Sequence, residues 1–332
     1  MFDNNAILDE SPDRPLLSRV ADSMFWMSRY VERAEQHARL LKVNTALLMD
    51  VGELAPAMQP KQWQSVLDIA RVADPDVDSN QNYGAHVARY MTFDPLNPGS
   101  LVTCLSRARE NARAVRSDIS AEMWRAVNAQ YLAARAEDAL LRYEEQPEEF
   151  YDSVMNGAMM FAGISDHTLS HDQRWHFIRL GRSIERAEVT CRVIEARFLA
   201  LMDKQTSLES SLRNIQWMAV LRMCCSIEAY RRMHVGDLEP VNVAAFLIFE
   251  RDFPRSVFQS VRDALGAISG IRRLTSPRSL DPAERVLGRL SASLEFADPS
   301  EFSADTVGEL LQSIRAGLQD AANLVTQTYF RK

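Results

Sequence analysis

The sequence is poor in the residues and patterns that build β-structure. Its 332 residues include only 12 glycines, and no segment shows a convincing alternation of apolar and polar residues. Such alternation marks a half-buried strand, whereas apolar residues three and four positions apart indicate a helix. The hydrophobic content of 46% and the charged content of 25% are ordinary for a globular protein. We therefore predict an all-α fold of long helices.

Signals for disulfides, secretion and membrane insertion are also lacking. The four cysteines, at positions 104, 191, 224 and 225, have neither disulfide nor zinc spacing, so buried free thiols are expected. Residues 1–14 are polar and acidic, unlike a signal peptide, and no apolar run is long enough to span a bilayer. The net charge of −7 argues against nucleic acid as the main partner. We expect a cytoplasmic protein that binds neither nucleic acid nor membrane.

Motifs for independent catalysis are missing as well. The dipeptide Gly-Lys of a phosphate-binding loop never occurs, and neither does the nucleophile motif Gly-x-Ser-x-Gly. An ATPase or serine hydrolase activity of its own is therefore not expected, and no cofactor is predicted. The basic residues are nearly all arginine, since lysine occurs only at 42, 61, 204 and 332. Arginine favours bidentate pairing with carboxylates or phosphates.

The chain does contain one long helical segment that is used twice. Residues 17–50 and 170–203 each carry apolar residues at alternating spacings of three and four, as helices in bundles do. The tetrapeptide Glu-Arg-Ala-Glu occurs at 32–35 and again at 185–188, a separation of 153 residues. Other matches follow at separations of 154 to 156 residues, such as Trp63 with Trp217. We predict an internal duplication whose two halves are related by a pseudo-twofold axis.

Charged residues of the two copies fall on one side of each helix, at about 100° per residue. The arc contains four residues of each copy: Arg29, Glu32, Glu35 and Arg39, and then Arg182, Glu185, Glu188 and Arg192. With Arg33 and Arg186 they form the candidate site. Two arrangements are open. One is pairing within a helix, Arg29 or Arg39 with Glu32 or Glu35, worth a few tenths of a kcal/mol per pair. The other is a charged cluster where the two copies meet.

The motif segments at 18–23, 30–35 and 181–188, with Trp124 and Asn128 between them, resemble the bacterial alpha-E domain family. The resemblance extends over nearly the whole chain. It implies an all-helical protein that is usually encoded beside a circularly permuted ATP-grasp ligase-like protein and a transglutaminase-like protease. A proteasome-related peptidase is sometimes encoded nearby. The resemblance implies a setting for this chain, but no particular reaction.

The chain divides into two repeats and a tail. Residues 1–14 are expected to form a disordered N-terminal tail, residues 15–168 the first alpha-E repeat, and residues 169–330 the second. Each motif helix carries apolar residues on more than one side, so the repeats should pack as one unit. Further helices are predicted at 61–73, 83–93, 99–118, 120–143, 147–167, 281–296 and 303–330, with Ser120 as the N-cap of the helix that follows it.

Four motif glutamates could in principle meet between the repeats and bind two metal ions: Glu32, Glu35, Glu185 and Glu188. Helical bundles that bind two metals supply Glu-x-x-His motifs, and here no glutamate precedes a histidine by three residues. Arginine also stands near each acidic pair and would neutralise the charge that a metal needs. We predict no metal there. The alternatives left open are a salt-bridged structural network and a cluster that contacts a substrate or partner.

A second group with metal-ligating side chains comprises Asp166, His167, His171, Asp172 and His176. It lies at a predicted helix junction, where such residues serve as caps, and a break near Ser170 would separate His167 from His171. We predict no metal site there either.

A basic stripe is formed by Arg109, Arg113 and Arg116. Guanidinium groups in such a row can receive an anion or an acidic partner. Glu110 and Asp118 accompany the stripe, however, so a solvated face is the simpler interpretation.

The resemblance and the motifs lead to two functional hypotheses. The first is an accessory or scaffold subunit that contacts an ATP-grasp amide-ligase-like protein, or its peptide, through the Glu-Arg surfaces. The second is an enzyme acting on a peptide or amide, with Glu32 and Glu185 as acid/base groups and Arg33 and Arg186 as anion-binding groups. Catalytic carboxylates line a pocket and have raised pKa values, whereas structural carboxylates are fully ion-paired.

Overall fold

The computed structural model describes residues 16–51, 56–75, 82–202, 210–234, 236, 238–275, 281–298 and 302–330. This part of the chain contains fourteen α-helices and no β-strand, which confirms the all-α prediction. None of these described helices combines the length and the apolar composition needed to cross a bilayer. The predicted disordered tail at 1–14 lies outside the described residues.

The helices are numbered in chain order. The first seven are α1 Ser18–Val51, α2 Gln59–Ala70, α3 Tyr83–Phe93, α4 Leu101–Ala114, α5 Ala121–Ala134, α6 Ala139–Glu145 and α7 Pro147–Thr168. The other seven are α8 Gln173–Met202, α9 Ser210–Met223, α10 Ile227–Met233, α11 Pro240–Phe249, α12 Val257–Thr275, α13 Pro282–Glu295 and α14 Val307–Val325. Helix α14 continues into a π-helical turn over Thr326–Phe330.

One predicted helix is wrong in its extent. The segment 120–143 forms two helices, α5 and α6, because the chain tightens at Arg135, whose N–H donates to the carbonyls of Leu132 and Tyr131. No glycine or proline marks this break in the sequence. The predicted N-cap at Ser120 is confirmed, since its hydroxyl oxygen accepts a hydrogen bond from the Met123 N–H at 3.1 Å.

Helices α1 and α8 lie at the centre and pack against each other. Helix α1 also contacts α4 and α7, and α8 contacts α12 and α14. The predicted apolar seam is buried along most of both helices, with Met24, Leu41 and Ile184 fully inaccessible to solvent. Thr45 and Leu48 are only partly buried, and Leu17, which precedes the first helical residue, is 59% exposed. The core of the protein therefore forms around the two helices that carry the Glu-Arg motifs.

The ends of α2 and α9 share one backbone geometry. Arg71, one residue after α2, and Cys225, two residues after α9, both have φ of 55°, in the left-handed region that L-residues rarely adopt. The next N–H returns to a leucine carbonyl, Leu67 at 3.0 Å and Leu221 at 2.8 Å, as in a Schellman motif. Arg71 and Cys225 are 154 residues apart, as are Leu67 and Leu221, which is a separation found in the sequence alignment of the two halves. The internal duplication stays a prediction, and this shared geometry supports it.

Helices α1 and α8 are in close contact at Gly181. A Cβ atom at this position would lie 2.4 Å from the carbonyl oxygen of Phe25 and 2.4 Å from the hydroxyl oxygen of Ser28. Ser28 is the residue that matches Gly181 at the 153-residue separation. Only glycine permits this approach without a shift of the α1 backbone. The approach brings the motif side chains of the following turns within reach of the opposite helix.

The four cysteines are free thiols. Cys104, Cys191 and Cys224 are buried, as expected, and burial raises the pKa of each thiol. Cys225 is only partly buried, so the expectation is wrong for this residue.

Candidate functional site

Two reciprocal ion pairs join α1 to α8. Arg33 of α1 donates two hydrogen bonds to Glu185 of α8, from Nε at 2.6 Å and from Nη2 at 2.9 Å. Arg186 of α8 donates two to Glu32 of α1, from Nε at 2.7 Å and from Nη2 at 2.8 Å. Bidentate pairs of this kind are among the stronger protein hydrogen bonds. The glutamate of each motif copy is thus paired with the arginine of the other copy.

A third arginine joins the same cluster from α1. Arg29 donates to Glu185 at 2.7 Å and to Glu188 at 2.8 Å, while its guanidinium carbon lies 5.2 Å from the centroid of the Trp26 ring. The predicted pairing of Arg29 with Glu32 inside α1 is therefore wrong, because Glu32 is bound to Arg186. The alternative prediction, a charged cluster where the two motif helices meet, describes what is observed.

Glu35 binds a different pair of arginines. Arg39, one turn along α1, donates to it from Nε at 3.0 Å, as predicted for an intrahelical pair. Arg255, which lies just before α12, reaches the same carboxylate at 3.1 Å. Sequence analysis missed Arg255, although a signal existed. In the alignment of the two halves at 156 residues, Arg255 takes the place of Gly99.

His37 of α1 is a further buried residue that sequence analysis missed. Its Nδ1 lies 2.8 Å from the carbonyl oxygen of Gly99, and its side chain is inaccessible to solvent. Burial lowers the pKa of His37 to about 4. The imidazole is therefore neutral near pH 7, and its Nδ1–H donates to Gly99. Nothing in the local sequence distinguishes His37 from an ordinary core histidine.

The motif glutamates are not on the surface. The side chains of Glu185, Glu35 and Glu32 are 0%, 2% and 6% exposed. The predicted contact of a partner through Glu-Arg surfaces therefore does not apply to these carboxylates in this fold. They are buried because other helices pack against the side of α1 and α8 that carries the charged residues.

The arginines of the cluster outnumber its carboxylates. Seven arginines, counting Arg255, accompany four glutamates. Within the described part of the chain, Arg182 makes no hydrogen bond or ion pair, and Arg192 donates to the backbone carbonyl of Glu188 at 3.3 Å. The Oε1 atom of Glu188 is buried without a partner. Burial lowers the pKa of Arg192 to about 10, which leaves it charged at neutral pH.

Both central glutamates are ionised. Burial raises the pKa of Glu185, but the charges and hydrogen bonds of Arg33 and Arg29 lower it by a larger amount. The pKa of Glu185 therefore lies well below the usual range. The pKa of Glu32 is also lowered, because the charge and hydrogen bonds of Arg186 outweigh the effect of burial. A general acid at neutral pH needs a raised pKa. The electrostatics thus favour the structural interpretation of these two residues.

Three of the four motif carboxylates have both oxygens occupied by arginine and so are not free to bind a metal. Both oxygens of Glu32 and of Glu185 accept hydrogen bonds from arginine, and so do both oxygens of Glu35. A cation would have to displace these guanidinium groups to bind. In the described ranges, no group of three or more His, Cys, Asp or Glu side chains is arranged to hold a metal ion.

The second group of histidines and aspartates is held by local contacts. Helix α7 ends at Thr168 and α8 begins at Gln173, so the predicted break near Ser170 is present. The His171 ring stacks on Trp175 with centroids 4.1 Å apart, and Trp175 Nε1 donates to Asp166 at 2.9 Å.

The remaining members of this group point to other partners. Asp172 accepts a hydrogen bond from the Arg174 N–H at 2.9 Å, and His167 is exposed. The His176 ring lies against Gly270 of α12, where an added Cβ would approach it to 2.2 Å. The group therefore caps and packs a helix junction.

The basic stripe on α4 is more structured than a solvated face. Arg109 donates to Asn128 at 3.0 Å, and its guanidinium carbon lies 4.7 Å from the Tyr131 ring centroid and 5.8 Å from that of Trp124. The two residues between the motif copies, Trp124 and Asn128, thus hold Arg109 in place. The other two members of the stripe are exposed: Arg113 and Arg116.

Comparisons with known proteins agree with the sequence motifs. The model of the Alpha-E family, described as a predicted alpha-helical domain with a conserved ER motif, matches residues 16–330. An uncharacterized protein of Mycobacterium bovis and one of Mycobacterium tuberculosis are each 26% identical over 341 residues, which covers 93% of this chain and 36% of the relative. The chain thus spans about a third of the length of these relatives. No solved structure matches. The chain belongs to the Alpha-E family.

Proposed function

We propose that this chain is a helical accessory module without chemistry of its own, which works beside an ATP-grasp amide-ligase-like protein in peptide synthesis or modification. The ligase-like partner performs the ATP-dependent step. The Alpha-E chain supplies a rigid surface that positions the partner or its peptide. A transglutaminase-like protease or a proteasome-related peptidase is a further partner on the same reasoning.

The observation that carries this proposal is the exchange of ion pairs between α1 and α8. Arg33 with Glu185 and Arg186 with Glu32 connect the two central helices through buried, bidentate contacts. Each carboxylate is ionised and occupied, so neither is available for proton transfer to a substrate. A network of this kind fixes the relative position of two helices, which a scaffold requires.

The length of the relatives supports a module that acts beside another polypeptide. In the two mycobacterial proteins, the matching region makes up 36% of the chain. The matching region in those proteins is therefore attached to a larger portion. An Alpha-E region that is covalently joined to further sequence has a fixed neighbour, at a high effective concentration.

The test is reconstitution with the ATP-grasp ligase-like protein that we expect to be encoded beside this chain. We expect the two to co-purify, and we expect ATP consumption by the ligase to change at least several-fold when this chain is added. Addition of this chain without the ligase should give no ATP consumption. If the two proteins neither associate nor affect each other's activity, the proposal is wrong.

A paired substitution separates a scaffold from an enzyme. Replacing a buried ion pair by apolar residues of similar volume is often nearly neutral for stability, so E32M/R186M should fold. If the pair is structural, this variant should stimulate the ligase as the unmodified chain does. If Glu32 and Arg186 are acid/base and anion-binding groups, the double variant should be stable and inactive. The matched control is the exposed pair on α4, E110M/R113M.

A further inference from the structure

A patch of arginine and aromatic side chains extends from α1 over α4 and α5. We call it the arginine–aromatic patch, and it consists of Tyr30, Arg107, Arg109, Arg116, Trp124, Tyr131 and Arg135. Three of its arginines are exposed: Arg107, Arg116 and Arg135. The functional proposal above makes no use of it.

Each aromatic ring of the patch has guanidinium groups over it. For Trp124 these are Arg109 at 5.8 Å and Arg116 at 5.1 Å from the ring centroid. For Tyr131 they are Arg109 at 4.7 Å and Arg135 at 5.9 Å. Such contacts orient a guanidinium group and leave its edge N–H groups free for a planar acceptor.

The patch is connected to the buried motif network through Tyr30. Arg33, which holds Glu185, lies 5.5 Å from the Tyr30 ring centroid, and Arg107 lies 5.6 Å from it. The Nη1 of Arg107 also donates to the Tyr30 hydroxyl at 3.3 Å. The exposed Arg107 is therefore positioned from within the fold, which lowers the entropy that its binding to a ligand would cost.

The patch is positive in an otherwise acidic chain. Residues 101–135 contain six arginines against three acidic residues, whereas the whole chain has a net charge of −7. A basic region of this kind attracts a partner of opposite charge.

The corresponding region of the second half is different. At the 156-residue separation, Arg107 corresponds to Asp263, which is ion-paired with Arg179 at 2.7 Å. At the 153-residue separation, Tyr30 corresponds to Ser183. At these two positions the described part of the second half therefore does not repeat the patch, and packing that the two halves share does not account for it.

From these contacts we infer that the arginine–aromatic patch binds a carboxylate-rich segment of a partner protein. Bidentate arginine recognises planar carboxylates well. Nucleic acid fits less well, because guanidinium groups already lie over the rings that bases would stack on. The inference deepens the proposed function, since it specifies the chemistry of the partner contact.

The test uses the full chain and a short fluorescein-labelled poly-glutamate peptide. Fluorescence anisotropy should show saturable binding that weakens as ionic strength rises above about 0.1 M. R107E/R116E should weaken binding by at least about tenfold. R285E/R289E changes the charge equally at two exposed arginines of α13 and should alter binding by less than about twofold. R107K/R116K, which keeps the charge, should retain part of the affinity.

Three results would overturn the inference: no binding of the peptide, equal weakening by both reversal variants, or tighter binding of an oligo-dT strand through the same arginines. R107Q/R116Q replaces the reversal variant if the latter does not fold. No ligase is present in this assay, so the two proposals can fail separately. If the peptide binds but this chain has no effect on the ligase, the inference about the patch stands and the proposed function is wrong.

Discussion

The two halves of the molecule share a central arrangement and differ around it. Both contribute one Glu-Arg pair to the exchange between α1 and α8, and both end their second helix in a left-handed residue. Arg107 and Tyr30 of the arginine–aromatic patch, by contrast, correspond to Asp263 and Ser183 in the second half. The shared features stabilise the contact of the two central helices, so the features found in one half are the better candidates for a specific role.

The halves also differ in how they complete the central network. In the first half, His37 of α1 binds the carbonyl of Gly99 just before α4. In the second half, the position of Gly99 is taken by Arg255, which reaches back to Glu35. One half thus uses a neutral hydrogen bond where the other uses a buried cation. The network is therefore asymmetric in charge although its central pairs are symmetric.

The largest expected effect comes from removing Glu185, the central carboxylate that binds two arginines. Glu185 is bound by Arg29 and Arg33, so E185A leaves Arg33 without its carboxylate and Arg29 with Glu188 alone. We expect a loss of about 3–5 kcal/mol in the free energy of unfolding. E32A leaves Arg186 alone and should cost less. Urea denaturation followed by circular dichroism measures both.

The control for this comparison is E110Q, which removes an exposed carboxylate of α4 and should cost less than about 1 kcal/mol. If E185A were no more destabilising than E110Q, the network would have no structural role. If E32A were the more damaging of the two, the asymmetry described here would be reversed.

The second effect is a pH dependence to which His37 of the first half contributes. His37 has a folded pKa of about 4 against an ordinary value of 6.5, so between these values the unfolded chain binds a proton that the folded chain does not. Stability should therefore fall by about 3 kcal/mol as the pH drops from about 6.5 to about 4. Below about 4.5 the loss of the ionised Glu32 and Glu185 adds to it, since their pKa values are lowered.

Denaturation of H37N across this pH range tests the assignment. The asparagine amide retains a donor for the Gly99 carbonyl but does not titrate, so the part of the slope that His37 contributes should disappear. His176 of α8, whose pKa is also lowered to about 4, contributes a second part, which its half-buried position reduces. H167Q, at an exposed position, should retain the slope of the unmodified chain. An unchanged slope in H37N would contradict the argument.

A smaller effect should follow from alanine substitutions at the close contact of α1 and α8. G181A places a methyl group within 2.4 Å of the Phe25 carbonyl, so the helices must separate. We expect a cost of about 1–3 kcal/mol, as for other overpacked sites. S28A, at the matching position of α1, loses one hydrogen bond to Phe25 and should cost about 1 kcal/mol. Thermal melts that show equal effects would mean that the close contact is not specific to Gly181.

The smallest effect should be the same in both halves. Arg71 and Cys225 hold φ of 55°, a conformation that costs an L-residue about 1 kcal/mol relative to glycine. R71G should be more stable than R71A by about this amount, and C225G should exceed C225A similarly. Chemical denaturation of the four variants measures the difference. A gain at only one site would weaken the case for duplication.

Much of the fold could be predicted because it depends on local pattern. The apolar spacing along α1 and α8 and the cap at Ser120 are sequence features that act within a few residues of themselves. The break between α5 and α6 could not be predicted, because hydrogen bonds at Arg135, with no glycine or proline, end the helix. His37 was missed for a similar reason, since its importance depends on the carbonyl of Gly99, 62 residues away.

The sequence by itself determined that two helices carry matching Glu-Arg motifs and that each has an apolar seam. Tertiary structure alone decided which carboxylate each arginine binds. Arg29 is one turn from Glu32 yet binds Glu185 and Glu188, because α8 packs against α1 and brings these two carboxylates within hydrogen-bond distance. Arg255 binds Glu35 from 220 positions along the chain. Ion pairs depend on distance in space and on burial, and neither is encoded in spacing along one helix.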